Sequence, residues 1–149
     1  MEMIQHVHSA LRWVLLIFLL ITIFKSMSGW LGKKTFTSSD RKLAVTTVIF
    51  AHLQLIIGLI LYFQGKWYQS IDTTDEMMKS VHRFFGMEHV TMMLLAIIFI
   101  TVGSASSKRA SSDTRKHKRI FVWFLISLVV ILAAIPWPFM AKFANLNWF

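Results

Sequence analysis

The 149-residue chain has no cysteine, only two prolines, and seven acidic residues against sixteen lysines and arginines. Without a thiol, the chain cannot form disulfides, use thiolate nucleophiles or ligate an iron–sulfur cluster. The prolines, Pro136 and Pro138, both lie near the C-terminal end, so no proline interrupts a helix before them. No nucleophile is paired with a base, no glycine loop is suited to phosphate, and no zinc-protease helix motif occurs. What remains is apolar: 56% of residues are hydrophobic and the mean hydropathy is +0.59, well above an ordinary soluble domain of this size.

The apolar residues gather into four stretches, Leu11–Trp30, Leu43–Phe63, Phe84–Ser104 and Ile120–Met140. Each meets the roughly 20 helical residues needed to cross a hydrocarbon layer of about 30 Å. Lipid offers the backbone no hydrogen-bond partner, so an open chain must cross it as helix. The expected class is all-α: a single domain over residues 1–149, built as a four-transmembrane-helix bundle.

The formal charge of +9 raises the question of nucleic acid, but its distribution points to topology instead. Lys25, Lys33, Lys34, Arg41 and Lys42 flank the first connection, and Lys108, Arg109, Arg115, Lys116, Lys118 and Arg119 the third. The other side carries Arg12, Lys66, Lys79, Arg83 and Lys142, mixed with Glu2, Asp72, Asp75, Glu76 and Glu88. Basic loops stay in the cytoplasm, so both termini and the loop from Gln64 to Arg83 are expected outside. The basic excess also favours anionic lipid, and no nucleic-acid partner is expected. The leader MEMIQHVH is not basic, and Lys25, Lys33 and Lys34 follow the first span, as in a retained helix rather than a cleaved signal.

The two basic loops share a pattern, KKTFTSSDRK (Lys33–Lys42) and KRASSDTRK (Lys108–Lys116), and Asp40 and Asp113 are expected to begin the helices that follow. Two loops obeying one charge rule account for this more simply than a duplicated hairpin. On the outer side, Thr73 or Thr74 is expected to cap a helix starting near Asp75. Trp67, Tyr68, Trp137, Trp148 and Phe149 are expected in an outer aromatic belt and Trp30 in an inner one. Pro136 and Pro138, in IPWPFM, end or kink the fourth span.

Three histidines, His8, His52 and His89, fall in or beside the outer half of the spans. An ionisable residue in hydrocarbon is a functional-site candidate by default. His8 and Arg12 lie on a stripe with Leu15, Leu19, Thr22, Ser26 and Gly29, and His89 on one with Gly86, Met93, Ala96, Ile100 and Gly103. Both stripes are expected to face the bundle. The stripe of the second span is Ala44, Thr47, Ala51, Gln54 and Gly58, with His52 at its edge, toward a neighbouring helix. At about 1.5 Å per residue, His8 sits at the outer boundary, His89 roughly 6–9 Å inside and His52 roughly 15 Å inside. Arg12 and Glu88 are expected to pair, or Arg12 to meet an anionic ligand group, with Arg83 as a second cation for it. His6, His82 and His117 are expected to be solvated.

Paired imidazoles inside a bundle suit one b-type heme, through His52 and His89 or with His8 in place of one, and a heme propionate is an anion that Arg12 or Arg83 could meet. Copper is an alternative: Met92 and Met93 lie three and four residues after His89, and thioether with imidazole suits Cu(I). A third reading is a non-catalytic accessory subunit packed against other membrane-protein subunits.

The segments HSALRW (His8–Trp13), GWLGKKTFTSSDRKL (Gly29–Leu43), AHLQLIIGLILYF (Ala51–Phe63), RFFGMEHVTMMLLAIIFITVGSASSKR (Arg83–Arg109) and IPWPF (Ile135–Phe139) resemble a family of small bacterial four-span proteins often labelled "cytochrome b". The resemblance covers nearly the whole chain. It implies a multi-pass protein of the bacterial inner (cytoplasmic) membrane that binds heme b, with His8, His52 and His89 inside the matching motifs. The chain lacks the two level histidine pairs of diheme cytochromes b, so at most one heme is expected. The expected role is electron transfer between a quinol or membrane partner and an outer-side acceptor, as a carrier or subunit more than a stand-alone enzyme.

Overall fold

The computed structural model describes residues 2–71 and 80–144. The expected cap at Thr73 or Thr74, the charges Asp72, Asp75, Glu76 and Lys79, and the aromatic pair Trp148 and Phe149 lie outside the described residues. Among the described residues, four helices are long and apolar enough to span a membrane: α1 (Glu2–Leu31), α2 (Ser38–Gln64), α3 (Val81–Lys108) and α4 (Asp113–Ala134). Short 3-10 turns occupy Trp67–Ile71 and Ala141–Phe143.

Two boundaries differ usefully from those expected. The first helix starts at Glu2, well before Leu11, which puts His8 inside α1 rather than at its mouth. The fourth starts at Asp113 and stops at Ala134. It stops there because Pro136 bars its predecessor from the α region, and Ile135 is indeed extended, at φ −75 and ψ 130.

The helices form a ring. α1 and α3 each pack against α2 and α4. Neighbours run antiparallel, as cross-links at both ends show. Arg41 Nη1 of α2 donates to the Ser104 carbonyl of α3 at 3.0 Å, while at the far end the Tyr62 hydroxyl donates to the Gly86 carbonyl at 3.1 Å. The start of α1 and the end of α4 therefore share one end, here termed the terminal end. The two short connections form the basic end.

The stripes of small and polar residues do face inward: Leu19, Thr22 and Ser26, then Ala44, Thr47 and Ala51, then Ala96, Ile100 and Gly103 are buried. Interhelical packing relies on hydroxyls that bond their own helix and a neighbour. Thr22 and Thr47 meet at 2.9 Å, and Ser127 of α4 donates to the Ala96 carbonyl of α3 at 3.0 Å. Without a hydrophobic drive between helices in lipid, close approach and such bonds hold a bundle together. Outside, Ile17, Phe24, Ile49, Ile56, Ile98 and Val129 are each more than half exposed. That apolar surface, with the four spans, makes the protein a multi-pass transmembrane four-helix bundle.

At the basic end, the residues before the aspartates do the capping. Thr37 caps α2 in a capping box with Asp40, the Thr37 N–H donating to Asp40 Oδ2 at 2.8 Å. Ser112 caps α4 by accepting from the Arg115 N–H. Asp40 also meets Lys25 of α1 at 3.0 Å, pinning the first hairpin. His117 is not solvated: it is 2% exposed, on the same face as Ile120, Phe124 and Ser127. Its ring packs edge-on to Phe36 at 4.9 Å, over Gly29, where a Cβ would overlap the imidazole.

Candidate functional site

The terminal half of the bundle encloses a partly open cavity of about 290 Å³ between all four helices. His8 and Arg12 reach it from α1, Gln54 and Gly58 from α2, His89 and Met93 from α3, and Ile131 from α4, with Pro136 just beyond. Its lining is mostly apolar, with these few polar groups converging. That composition suits a ligand site, and the volume lies at the small end of the ~300–1,000 Å³ typical of one.

His89 is held from two sides. It follows a π-helical turn, Phe84–Glu88, and its N–H bonds the Phe84 carbonyl, five residues back. Such turns insert one residue into a helix and recur at functional sites. The Gly86 carbonyl within that turn accepts from Tyr62, so α2 clamps the turn. The imidazole Nδ1 of His89 lies 2.8 Å from the Ala134 carbonyl. A carbonyl only accepts, so Nδ1 carries the proton. The neutral ring then keeps its lone pair on Nε2, and a backbone carbonyl on the other nitrogen is the usual support of a metal-binding imidazole.

The two prolines explain why that carbonyl is available. In an α-helix the Ala134 carbonyl would accept from residue 138 and the Leu132 carbonyl from residue 136. Both are prolines and have no N–H. Ala134 is taken by His89, and Leu132 by the indole N–H of Trp137 at 2.8 Å. The IPWP segment thus ends the helix and places an acceptor on the site.

His8 is held by Gln54. The Gln54 side-chain amide nitrogen donates to the His8 backbone carbonyl at 3.0 Å and approaches His8 Nε2 at 3.2 Å. Because the amide N–H donates, Nε2 is the acceptor and Nδ1 bears the proton. The His8 ring edge lies on Gly58: a Cβ there would stand 3.2 Å from Cε1. Gln54 is 9% exposed, and its carbonyl oxygen and His8 Nδ1 have no hydrogen-bond partner among the described residues. Arg12 lies beside them, its guanidinium 5.4 Å from the Trp13 ring centroid.

The structure therefore brings His8, Arg12 and His89 together and leaves the others out. His52 is exposed on the outside of α2, and its Nδ1 donates to its own helix, to Val48 O at 2.8 Å. It does not turn toward a neighbouring helix of this bundle and is not paired with His89 across the cavity. The stripe through Ala51 and Gln54 takes the inward side, and a residue about 100° away on this narrow ring already looks outward. Glu88 does not wait for Arg12: its carboxylate accepts from Arg83 Nε at 2.8 Å. Arg83 is spent there, about half exposed, and does not line the cavity. Met93 lines it beside His89, whereas Met92 does not. His82 is half-buried against Trp67, ring centroids 5.7 Å apart, rather than solvated.

Gln54, Tyr62 and the π turn are absent from the sequence-based site. Gln54 had a signal, being the polar member of an otherwise small and apolar inward stripe. Pro138 four residues after Ala134 was a second. The π turn had none. Comparison of the chain with protein-family models, with curated proteins and with solved structures finds no match.

Proposed function

We propose that the protein is a small electron-transfer protein or subunit of the bacterial inner membrane, whose cavity holds one heme b through His89, with His8 as the second ligand. The observation that carries this reading is His89: an imidazole at a membrane-embedded cavity, with Nδ1 anchored on the Ala134 carbonyl and Nε2 left with its lone pair. The donor set fits the group. Two imidazoles line one apolar cavity and Arg12 offers a cation for a propionate. The cavity measures about 290 Å³ and is partly open, so a porphyrin would need more room than this volume alone provides. A b-type heme supplies one-electron exchange.

The side chains have distinct tasks in this reading. His89 presents a fixed lone pair. His8 must exchange the Gln54 amide for iron, so it is the weaker ligand. Gln54 holds His8 at the level of Gly58, in a lining that is mostly apolar. The positive-inside rule places the basic end in the cytoplasm and this site near the outer surface. The resemblance to the small four-span proteins labelled "cytochrome b" supports the same reading, and a quinol is the donor class that a membrane site of this depth would meet.

The test is optical. Protein purified in detergent is expected to show a Soret band and a dithionite-induced alpha band. His89→Ala is expected to abolish both, His8→Ala to convert the spectrum from six- to five-coordinate, and His52→Ala to leave it unchanged. Absence of both bands in the native chain, or a spectrum indifferent to His89→Ala, would overturn the reading. Copper is favoured only by Met93 standing beside His89 at the cavity. Metal analysis of the same sample separates the two.

A further inference from the structure

We infer that the outer face of α2 around His52 is an interface for a transmembrane helix of a different protein, one that carries an N–H or O–H donor at mid-depth. This does not rest on the heme reading, since His52 takes no part in the cavity.

His52 lies next to the midpoint of the 27-residue α2 and about 9 Å deeper than Gly58, which marks the level of His8. Its exposed neighbours Val45, Ile49, Leu53, Ile56 and Ile60 are apolar, so its surroundings are hydrocarbon. Ionisable side chains in spans almost always face a bundle interior or a water-filled cavity. His52 faces neither within this chain. Its only hydrogen bond among the described residues uses Nδ1 as donor to Val48 O, which leaves Nε2 as a bare acceptor aimed away from the bundle. Lipid chains have nothing to give it.

The coverage of the helices points the same way. Of the most apolar stretch of each span, 17% is buried in α2, against 28% in α1, 33% in α3 and 39% in α4. α2 is the helix this bundle covers least, and it carries the one histidine that looks outward at mid-depth among the described residues.

Donor and acceptor complementarity selects the occupant. In a two-fold contact between copies of this chain, the same patch meets itself. Two Nε2 acceptors would then approach, each proton already committed to a Val48 carbonyl, and Val45, Ile49, Ile56 and Ile60 supply no donor between them. A second copy in that symmetric contact leaves both lone pairs unsatisfied. A helix bearing Ser, Thr, Asn, Gln, Tyr, Trp or Arg at that depth satisfies one, as polar side chains do between packed spans.

The test uses the full chain in its native membrane. Because there is no native cysteine, a benzophenone maleimide can be placed through Ile56→Cys, one turn from an intact His52, with Ile98→Cys on α3 as control. The expected result is one crosslink from Ile56→Cys, to a single distinct membrane protein at a residue within a turn of a donor side chain, and none from Ile98→Cys. Crosslinking only to lipid or to a second copy of this chain would overturn the proposal. In parallel, His52→Leu is expected to lower recovery of that crosslinked partner roughly fivefold to tenfold. His52→Gln keeps an acceptor and should retain most of it, and removal of the donor in the partner should reproduce the loss. Unchanged recovery in His52→Leu sinks the idea. The thermal midpoint of the solubilised His52→Leu chain should match the native one, because the ring is exposed and its only hydrogen bond among the described residues is to its own helix. If that variant fails to accumulate, the Ile56→Cys crosslink decides by itself.

Discussion

Four histidines of one chemical type meet four different fates. His89 is locked by a neighbouring helix, His8 by a glutamine, His52 by its own backbone, and His117 by shape alone. His117 has no hydrogen bond on either ring nitrogen among the described residues. It is accommodated because Gly29 leaves a hollow the size of the imidazole. Gly29→Ala is therefore expected to destabilise the bundle by about 1–3 kcal/mol through overpacking. His117→Ala opens space on the other side of the same contact. The double variant should recover much of the Gly29→Ala loss, and thermal unfolding of all four forms in detergent checks this. Additive losses would show that the ring and the glycine are not energetically coupled.

At the scale of the element, the ends of the helices carry more information than their middles. α1 closes with a Schellman arrangement, the Lys34 N–H bonding the Gly29 carbonyl at 2.9 Å and the Lys33 N–H bonding Trp30 at 3.3 Å. Its left-handed position is Lys33, at φ 49, although Gly32 stands next door. Lys33→Gly is expected to raise stability by up to about 1 kcal/mol, since glycine pays no steric cost there. At the other side of this short connection, Thr37→Ala removes the capping box and should cost about 1 kcal/mol. Chemical denaturation in mixed micelles would resolve opposite signs for the two, and equal signs would contradict the assigned caps. The end of α4 shows the same economy. Pro136 and Pro138 stop the helix and release two carbonyls, one of which aims His89.

For the whole molecule, the governing features are the closed ring of four antiparallel helices and the charge difference between its ends. The basic end is tied together by more than charge repelled from one side of a membrane. Arg41 bonds Ser104, Ser107 donates to the Lys116 carbonyl at 3.0 Å, and Arg119 donates to the Ser106 carbonyl at 2.7 Å. The positive-inside rule predicts that the basic end is cytoplasmic, and the orientation can be read directly by labelling. With no cysteine in the chain, Ser111→Cys at the basic end and Gln69→Cys near the terminal end form a clean pair for an impermeant thiol reagent in intact cells. Gln69→Cys should be labelled from outside and Ser111→Cys only after permeabilisation. The reverse pattern would invert the topology and put the cavity on the cytoplasmic side.

Span number, helical class and the inward stripes through Thr22, Thr47 and Ala96 were legible in the sequence alone, because hydrocarbon enforces helix and the 3.6-residue period exposes the small residues. Proline at 136 also marked the end of α4, although the span was expected to run past it to Met140. What the chain of letters could not settle was which histidines meet. Depth counted along each span separately put His8 at the boundary, His89 roughly 6–9 Å inside and His52 roughly 15 Å inside. The true level of His8 depends on α1 beginning at Glu2 and on antiparallel contact with Gly58, both consequences of packing. The facing of His52 and the burial of His117 likewise turn on a rotation of one residue about a helix axis, roughly 100°. That angle is set by neighbouring helices, and the π turn that precedes His89 on α3 is announced by no local pattern. The sequence alone determined that this protein crosses a membrane with histidines in its spans, and only the tertiary structure decided that His8 and His89 share one cavity while His52 faces outward from α2.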